Sequence, residues 1–276
     1  EAKLTIPRLT PILGSGWRDA GGSARILGID ARAPIPYTLD ELLSMVSSHR
    51  GVVIQEALQS SSIRRGETII FSPVHKGNWT TSIAVGGLWD QALSRGRRVF
   101  IAGTSAESRP AATHTTVLWS EGNQADQLIK SIRTGASYVA ERSGIHFDLQ
   151  VNGRTLGQTV FHQGEPFIRI RAYAKHSITT VSLVAEGEEI WSAEPNSAIW
   201  EERFFLPAGD FSYIRPILYS KEGGYRTVGN PVFLVSENPT DGELPLVDSR
   251  PIPSTELIEM GGMLEASHEL RLPSQL

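Results

Sequence analysis

The 276-residue chain contains no cysteine. Thiolate metal sites, cysteine nucleophiles and disulfides are thereby excluded together, although the compartment stays open. Long apolar runs are also missing: none approaches the roughly 20 residues that a membrane helix needs, so the chain is expected to have no membrane span of its own. Nor is there a run of Lys or Arg of the kind that neutralises phosphates. The short basic groups Arg64-Arg65 and Arg95 with Arg97-Arg98 flank apolar segments, and nucleic-acid binding is not expected. Charge is unevenly spread. From Pro239 to Leu276 seven acidic residues stand against Arg250 and Arg271, a local −5 within a net −4, which leaves the remaining body near +1.

Hydrophobic residues at 40% and charged residues at 20% are ordinary for a globular chain. The length suits one large domain or two medium ones, and two are expected. Residues 1–143 read as α/β. Leu39, Leu42, Leu43 and Val46 lie at helical spacing, and Val52-Val53-Ile54 is a continuous apolar run typical of a buried parallel strand. The order repeats with a helix from Leu88 to Ser94, a strand at Val99-Phe100-Ile101-Ala102, and a last helix from about Gln124 to Arg133.

In residues 144–238 the period changes to two, as in Phe167-Ile168-Arg169-Ile170-Arg171-Ala172-Tyr173. Asn152-Gly153 between two apolar stretches predicts a hairpin, and further turn signals predict a β-sandwich. Residues 239–276 form an acidic, proline-containing segment, expected to be extended.

Few residues suggest chemistry. The seven histidines include no His-x-His or Asp-x-His pair. Gly14-Ser15-Gly16 and Gly103-Thr104-Ser105 lack the full Gly-x-Ser-x-Gly elbow that exposes a nucleophile, and Gly21-Gly22 is not followed by phosphate-loop spacing. Trp191 and Trp200 fall on expected strands and read as core rather than as a sugar platform. Trp79, in a loop with His75, Lys76 and Asn78, is expected to be exposed and to anchor a partner.

Four stretches carry a family resemblance. They are Gly14 to Ile29, Arg50 to Ala57, Leu88 to Glu107, and Thr113 to Leu118 followed by Asp126 to Val139. In this order they resemble segments of the PHP-domain metallohydrolases, in particular the carbaryl-hydrolase-like branch. Tyr213 to Tyr219 and Gly229 to Phe233 resemble the end of the β-sandwich that follows the PHP domain in that branch. The resemblance implies a partial PHP-like distorted barrel followed by an all-β sandwich and an extended C-terminal tail.

It also implies a lost metal site. Ser105 and Glu107 stand where the family's Asp and His bind metal; Trp17 or Arg18 stands near an expected Glu, Ser23 near one His, and Glu56 or Ala57 near another. Chemistry that lowers the pKa of a metal-bound water does not survive loss of nearly all ligands, so no catalytic residue, metal site or cofactor is expected. The family's opening His-x-His strand has no counterpart here, an expectation that leaves processing, truncation or loss equally open. Were Glu1 to follow a removed signal peptide, a periplasmic location would be favoured; otherwise localisation is unassigned.

The resulting expectation is a non-catalytic structural or docking subunit, joined to other protein subunits through the tail. The contact residues are Leu257, Ile258, Met260, Met263 and Leu264, with Trp79 on the body. The alternatives are a PHP-type metal-dependent hydrolase whose catalytic front half lies outside this chain, and a ligand- or carbohydrate-binding β-sandwich.

Overall fold

A computed structural model describes residues 14–19, 22–29, 38–56, 58, 68–75, 78–103, 114–141, 144–221 and 224–235. The chain opens with an antiparallel pair, β1 (Gly14–Asp19) and β2 (Gly22–Leu27), followed by helix α1 (Leu39–Ser48) and strand β3 (Val52–Gln55). Reciprocal bonds start α1: the Thr38 hydroxyl accepts from the Glu41 amide at 3.2 Å, and the Glu41 carboxylate accepts from the Thr38 amide at 3.3 Å. Leu42 and Val46, one turn apart, bury one face of α1 on Ala24, Ile26 and Val53.

Strand β4 (Ile69–Phe71) leads into a small hairpin, β5 (Val74–His75) and β6 (Asn78–Trp79). After a 3₁₀ turn at Thr81–Ile83 come helix α2 (Leu88–Leu93) and strand β7 (Val99–Ile101). The first sheet has the order β1-β2-β3-β4-β7, antiparallel from β1 to β3 and parallel from β3 to β7.

Strand β8 (His114–Leu118), helix α3 (Ala125–Thr134) and strand β9 (Ser137–Glu141) follow. Gly135 ends α3 with φ 73°, a left-handed cap that glycine adopts without steric cost. The remaining strands are β10 (Ile145–Val151), β11 (Thr159–Phe161), β12 (Phe167–Ile178), β13 (Thr180–Ala185), β14 (Glu188–Ala193), β15 (Ser197–Phe205), β16 (Tyr213–Ser220), β17 (Tyr225–Gly229) and β18 (Val232–Val235). One sandwich face is the sheet β10-β12-β15. The other runs β11-β18-β16-β17-β9-β8, with β13 joining β16 to β14.

The α/β expectation for residues 1–143, a partial barrel on a parallel sheet, is overturned. The described chain is mostly β and β-sandwich-like, with three α-helices. Two facts account for the difference. Strands β1 and β2 run antiparallel, so the first sheet is mixed and open; and β8 and β9 leave it altogether, β9 pairing with β17 from beyond residue 143. Helical periodicity placed α1, α2 and α3, but it carries no information about which strand lies beside which.

The Asn152-Gly153 hairpin also needs correction. The turn forms, with both residues at positive φ and an isolated bridge between Val151 and Arg154. The flanking strands do not pair: β10 lies against β12, and β11 runs parallel to β18. A further bond, from the Phe167 amide to the Asn152 side-chain oxygen at 2.7 Å, draws the turn toward β12 instead.

Two cores result. Phe147, Leu149, Ile168, Ile170, Leu183 and Leu218 fill the space between the sandwich sheets. Phe71, Trp89, Phe100 and Ile101 from the first half pack with Val184, Tyr213 and Phe233 from the second. Tyr138 lies fully buried against Phe147, its ring centroid 4.6 Å away, and its hydroxyl is 2.8 Å from His146 Nδ1. Burial pushes the Tyr138 phenol well above its ordinary value, with the neighbouring Tyr173 and Asp148 acting in the same direction. Such a group stabilises the fold fully below the unfolded tyrosine pKa of about 10, and the stabilisation is lost as pH rises beyond it. Unfolding midpoints in urea should therefore fall above about pH 10, and Tyr138→Phe should flatten that alkaline slope. An unchanged slope would show that Tyr138 is not its source.

Candidate functional site

The carboxyl ends of parallel strands are where open sheets of α/β proteins hold ligands. In this chain β3, β4 and β7 end together near Gln55, Phe71 and Ile101, and the hairpin β5–β6 rises from the same end. Here the chain positions Glu56. Its amide donates to the Ser23 carbonyl at 3.0 Å, and the Ser23 hydroxyl donates to the Glu56 carboxylate. Two positions that the resemblance assigns to lost metal ligands are thus bonded to each other. Ser105 and Glu107 lie outside the described residues, as do Leu257, Ile258, Met260, Met263 and Leu264.

Trp79 does not stand free in its loop. It is half-buried, and its indole N–H donates to the Glu141 carboxylate at 3.2 Å. The His114 ring meets it edge-on at 4.8 Å between centroids, and His114 lies directly opposite Glu141 in the β8–β9 ladder. From β17 the Arg226 guanidinium covers the Trp79 ring at 5.3 Å and the Tyr219 ring at 5.4 Å. Burial holds Arg226 below the ordinary arginine value, while Tyr219 and Glu141 oppose that shift. Trp79 thereby joins a closed aromatic and ionic group that fastens the hairpin to the sandwich. Nothing in the local sequence pattern marks Glu141 or Arg226, because both reach Trp79 from strands distant in the chain.

Among the described residues, no group of three or more His, Asp or Glu side chains comes together as metal ligands would. No described helix is long and apolar enough to cross a membrane. Beyond Tyr219, a polar cleft of about 600 Å³ is lined by Thr179, Glu194, Asn196 and Lys221, among others. No protein-family profile, curated protein or solved structure matches the chain.

Two sets of residues from the resembling stretches fasten the first half to the second. Asp90, from the Leu88-Trp89-Asp90 segment, forms a two-pronged ion pair with Arg215 of β16: Nε to Oδ1 at 2.6 Å and Nη2 to Oδ2 at 2.7 Å, both residues fully buried. The Arg215 guanidinium also lies 4.8 Å over the Trp89 ring. Asn230, between β17 and β18, accepts from the Ile101 amide at 2.7 Å and donates to the Ile101 and Ser137 carbonyls at 3.1 and 3.0 Å.

Proposed function

We propose that the chain is a non-catalytic structural or docking subunit of a larger protein assembly, derived from a PHP metallohydrolase and lacking that family's metal ligands. The observation that carries this reading is the mutual satisfaction of polar side chains at the strand ends. Ser23 bonds Glu56 and Trp79 bonds Glu141, so groups that would be turned toward a ligand in an enzyme are turned toward each other. Attachment is assigned to the tail. Its Leu257, Ile258, Met260, Met263 and Leu264 suit repeated shallow contacts, and each buried Leu or Ile contributes about 1.5 to 3 kcal/mol before ordering costs.

Two measurements test the reading. Elemental analysis of chelator-free protein should find well under one equivalent of Zn, Mn or Fe; stoichiometric metal with phosphoesterase activity would restore the hydrolase reading. A chain ending at Asn238 should melt at nearly the temperature of the full chain, yet elute apart from the high-mass particle that holds the full chain in native extract. Unfolding of the shortened chain would mean that the tail packs on its own body.

A further inference from the structure

Strand β15 is a long edge. Its nine residues pair with β12 alone among the described strands, which leaves the outward backbone groups of Glu201, Arg203 and Phe205 open to another chain, while those of Ile199 are held by the Ser197 hydroxyl, which a docking strand would displace. Alternation puts Ile199, Glu201, Arg203 and Phe205 on the outward face. Ile199 is 78% exposed and Phe205 64%, the two most exposed large apolar side chains described. Trp200 and Phe204 point the other way, packing on the sandwich core and stacking with Trp191 of β14 at 6.1 and 4.3 Å.

Read outward from Glu202, the exposed face is complementary to itself. If a second β15 is laid antiparallel about a two-fold axis through Glu202, Ile199 faces Phe205 of the other copy and Glu201 faces Arg203, each pair occurring twice. On the inner face Trp200 meets Phe204, which would continue the aromatic stack across the axis. Cross-strand apolar and opposite-charge pairs of this kind are the units that stabilise sheets. A two-fold axis perpendicular to the sheet keeps every residue on its own face, so only residue-centred registers are allowed. Centring on Glu201 sets that carboxylate against its copy and Ile199 against Arg203. Centring on Arg203 sets guanidinium against guanidinium and Glu201 against Phe205.

We propose that β15 is a self-association edge, at which a second copy of this chain docks antiparallel about Glu202 and joins two three-stranded sheets into one of six. The partner is identified by complementarity of the strand to itself: it supplies both halves of every outward pair, and the Glu201 carboxylate, which bonds Arg203 and Arg169 of its own chain through Oε1, keeps Oε2 for the Arg203 of a second copy. The register sets one like pair together, Glu202 against its copy on the inner face, and this keeps the association reversible. It involves no tail residue and stands apart from the docking reading above.

Sedimentation velocity of the full chain across micromolar concentrations should show a monomer–dimer equilibrium. Glu201→Arg and Arg203→Glu each set like charges opposite one another at both symmetric positions, and each variant alone should dimerise at least about tenfold more weakly. An equimolar mixture of the two should recover dimer, since the new Arg then faces the new Glu and the native Arg203 of one variant faces the native Glu201 of the other; a merely damaged edge would not recover on mixing. Glu202→Gln, which removes the like pair, should tighten the dimer severalfold. A chain monomeric throughout would overturn the proposal and assign Glu202 the opposite task, an inward charge that guards the edge. A dimer indifferent to both charge reversals, a mixture that stays monomeric, or a Glu202→Gln dimer no tighter than wild type would overturn it as well.

Discussion

Replacing Asp90 with Ala is expected to lower the unfolding free energy by about 3–5 kcal/mol. The variant removes the one carboxylate that, among the described residues, bonds the fully buried Arg215 guanidinium, and leaves that charge buried without a counter-ion. It also removes the acceptor of the Gly86 amide, held at 2.9 Å by Asp90 Oδ2. Among the described residues, the arginine then keeps a 3.3 Å bond to the Ile83 carbonyl and its seat over Trp89. Breaking one side of a buried pair costs far more than replacing both. The double variant Asp90→Ala with Arg215→Met should therefore recover much of the loss, because no unpaired charge remains. Urea midpoints at constant m-value measure both. If Asp90→Ala costs less than about 1 kcal/mol, the pair is not desolvated in the manner described.

Asn230→Ala should cost about 3 kcal/mol or more, through unmade hydrogen bonds rather than charge. The fully buried side chain satisfies both backbone groups of Ile101 at the end of β7, together with the Ser137 carbonyl and hydroxyl at the start of β9. Alanine leaves the Ile101 amide and carbonyl and the Ser137 hydroxyl without these partners, while the Ser137 carbonyl keeps a 3.4 Å bond from the residue 230 amide, and each group left unsatisfied costs about 1–3 kcal/mol. The loss has a local signature. Amide exchange at Ile101 should accelerate more than at Leu149 or Ile170 in the sandwich interior, since Asn230 joins the first sheet to the second rather than holding the sandwich itself. Uniform acceleration at all three amides would show that this bond set is not a separate fastening.

The two fastenings explain how far the resemblance could be carried. Trp89, Asp90, Arg215 and Asn230 all fall in stretches singled out for their likeness to metallohydrolase segments, and all four serve packing between the halves. Motif matching located important side chains without indicating their task. Ser23 and Glu56 could be picked out together from the sequence because the strand order there follows the chain closely, β2 lying beside β3. Trp79 was legible as special but not as half-buried, since its cover comes from His114, Glu141 and Arg226, up to 147 residues away in number.

By itself the sequence determined the local units. Reciprocal capping and apolar spacing specify α1 over Leu39–Ser48, the glycine at 135 ends α3, and the alternation of β12 divides Ile168, Ile170 and Ala172 from Arg169 and Arg171. These are properties of side chains within about one turn or one pleat of each other, which is the range over which periodicity carries information. Tertiary structure alone decided which strands share a sheet: that β1 and β2 make the first sheet mixed, that β8 and β9 belong to the sandwich, and that β10 turns from β11 to β12. A strand's hydrogen bonds can be completed by any neighbour of suitable register. The choice among neighbours is made by long-range contacts such as Asp90 with Arg215, 125 residues apart, and no local pattern encodes them.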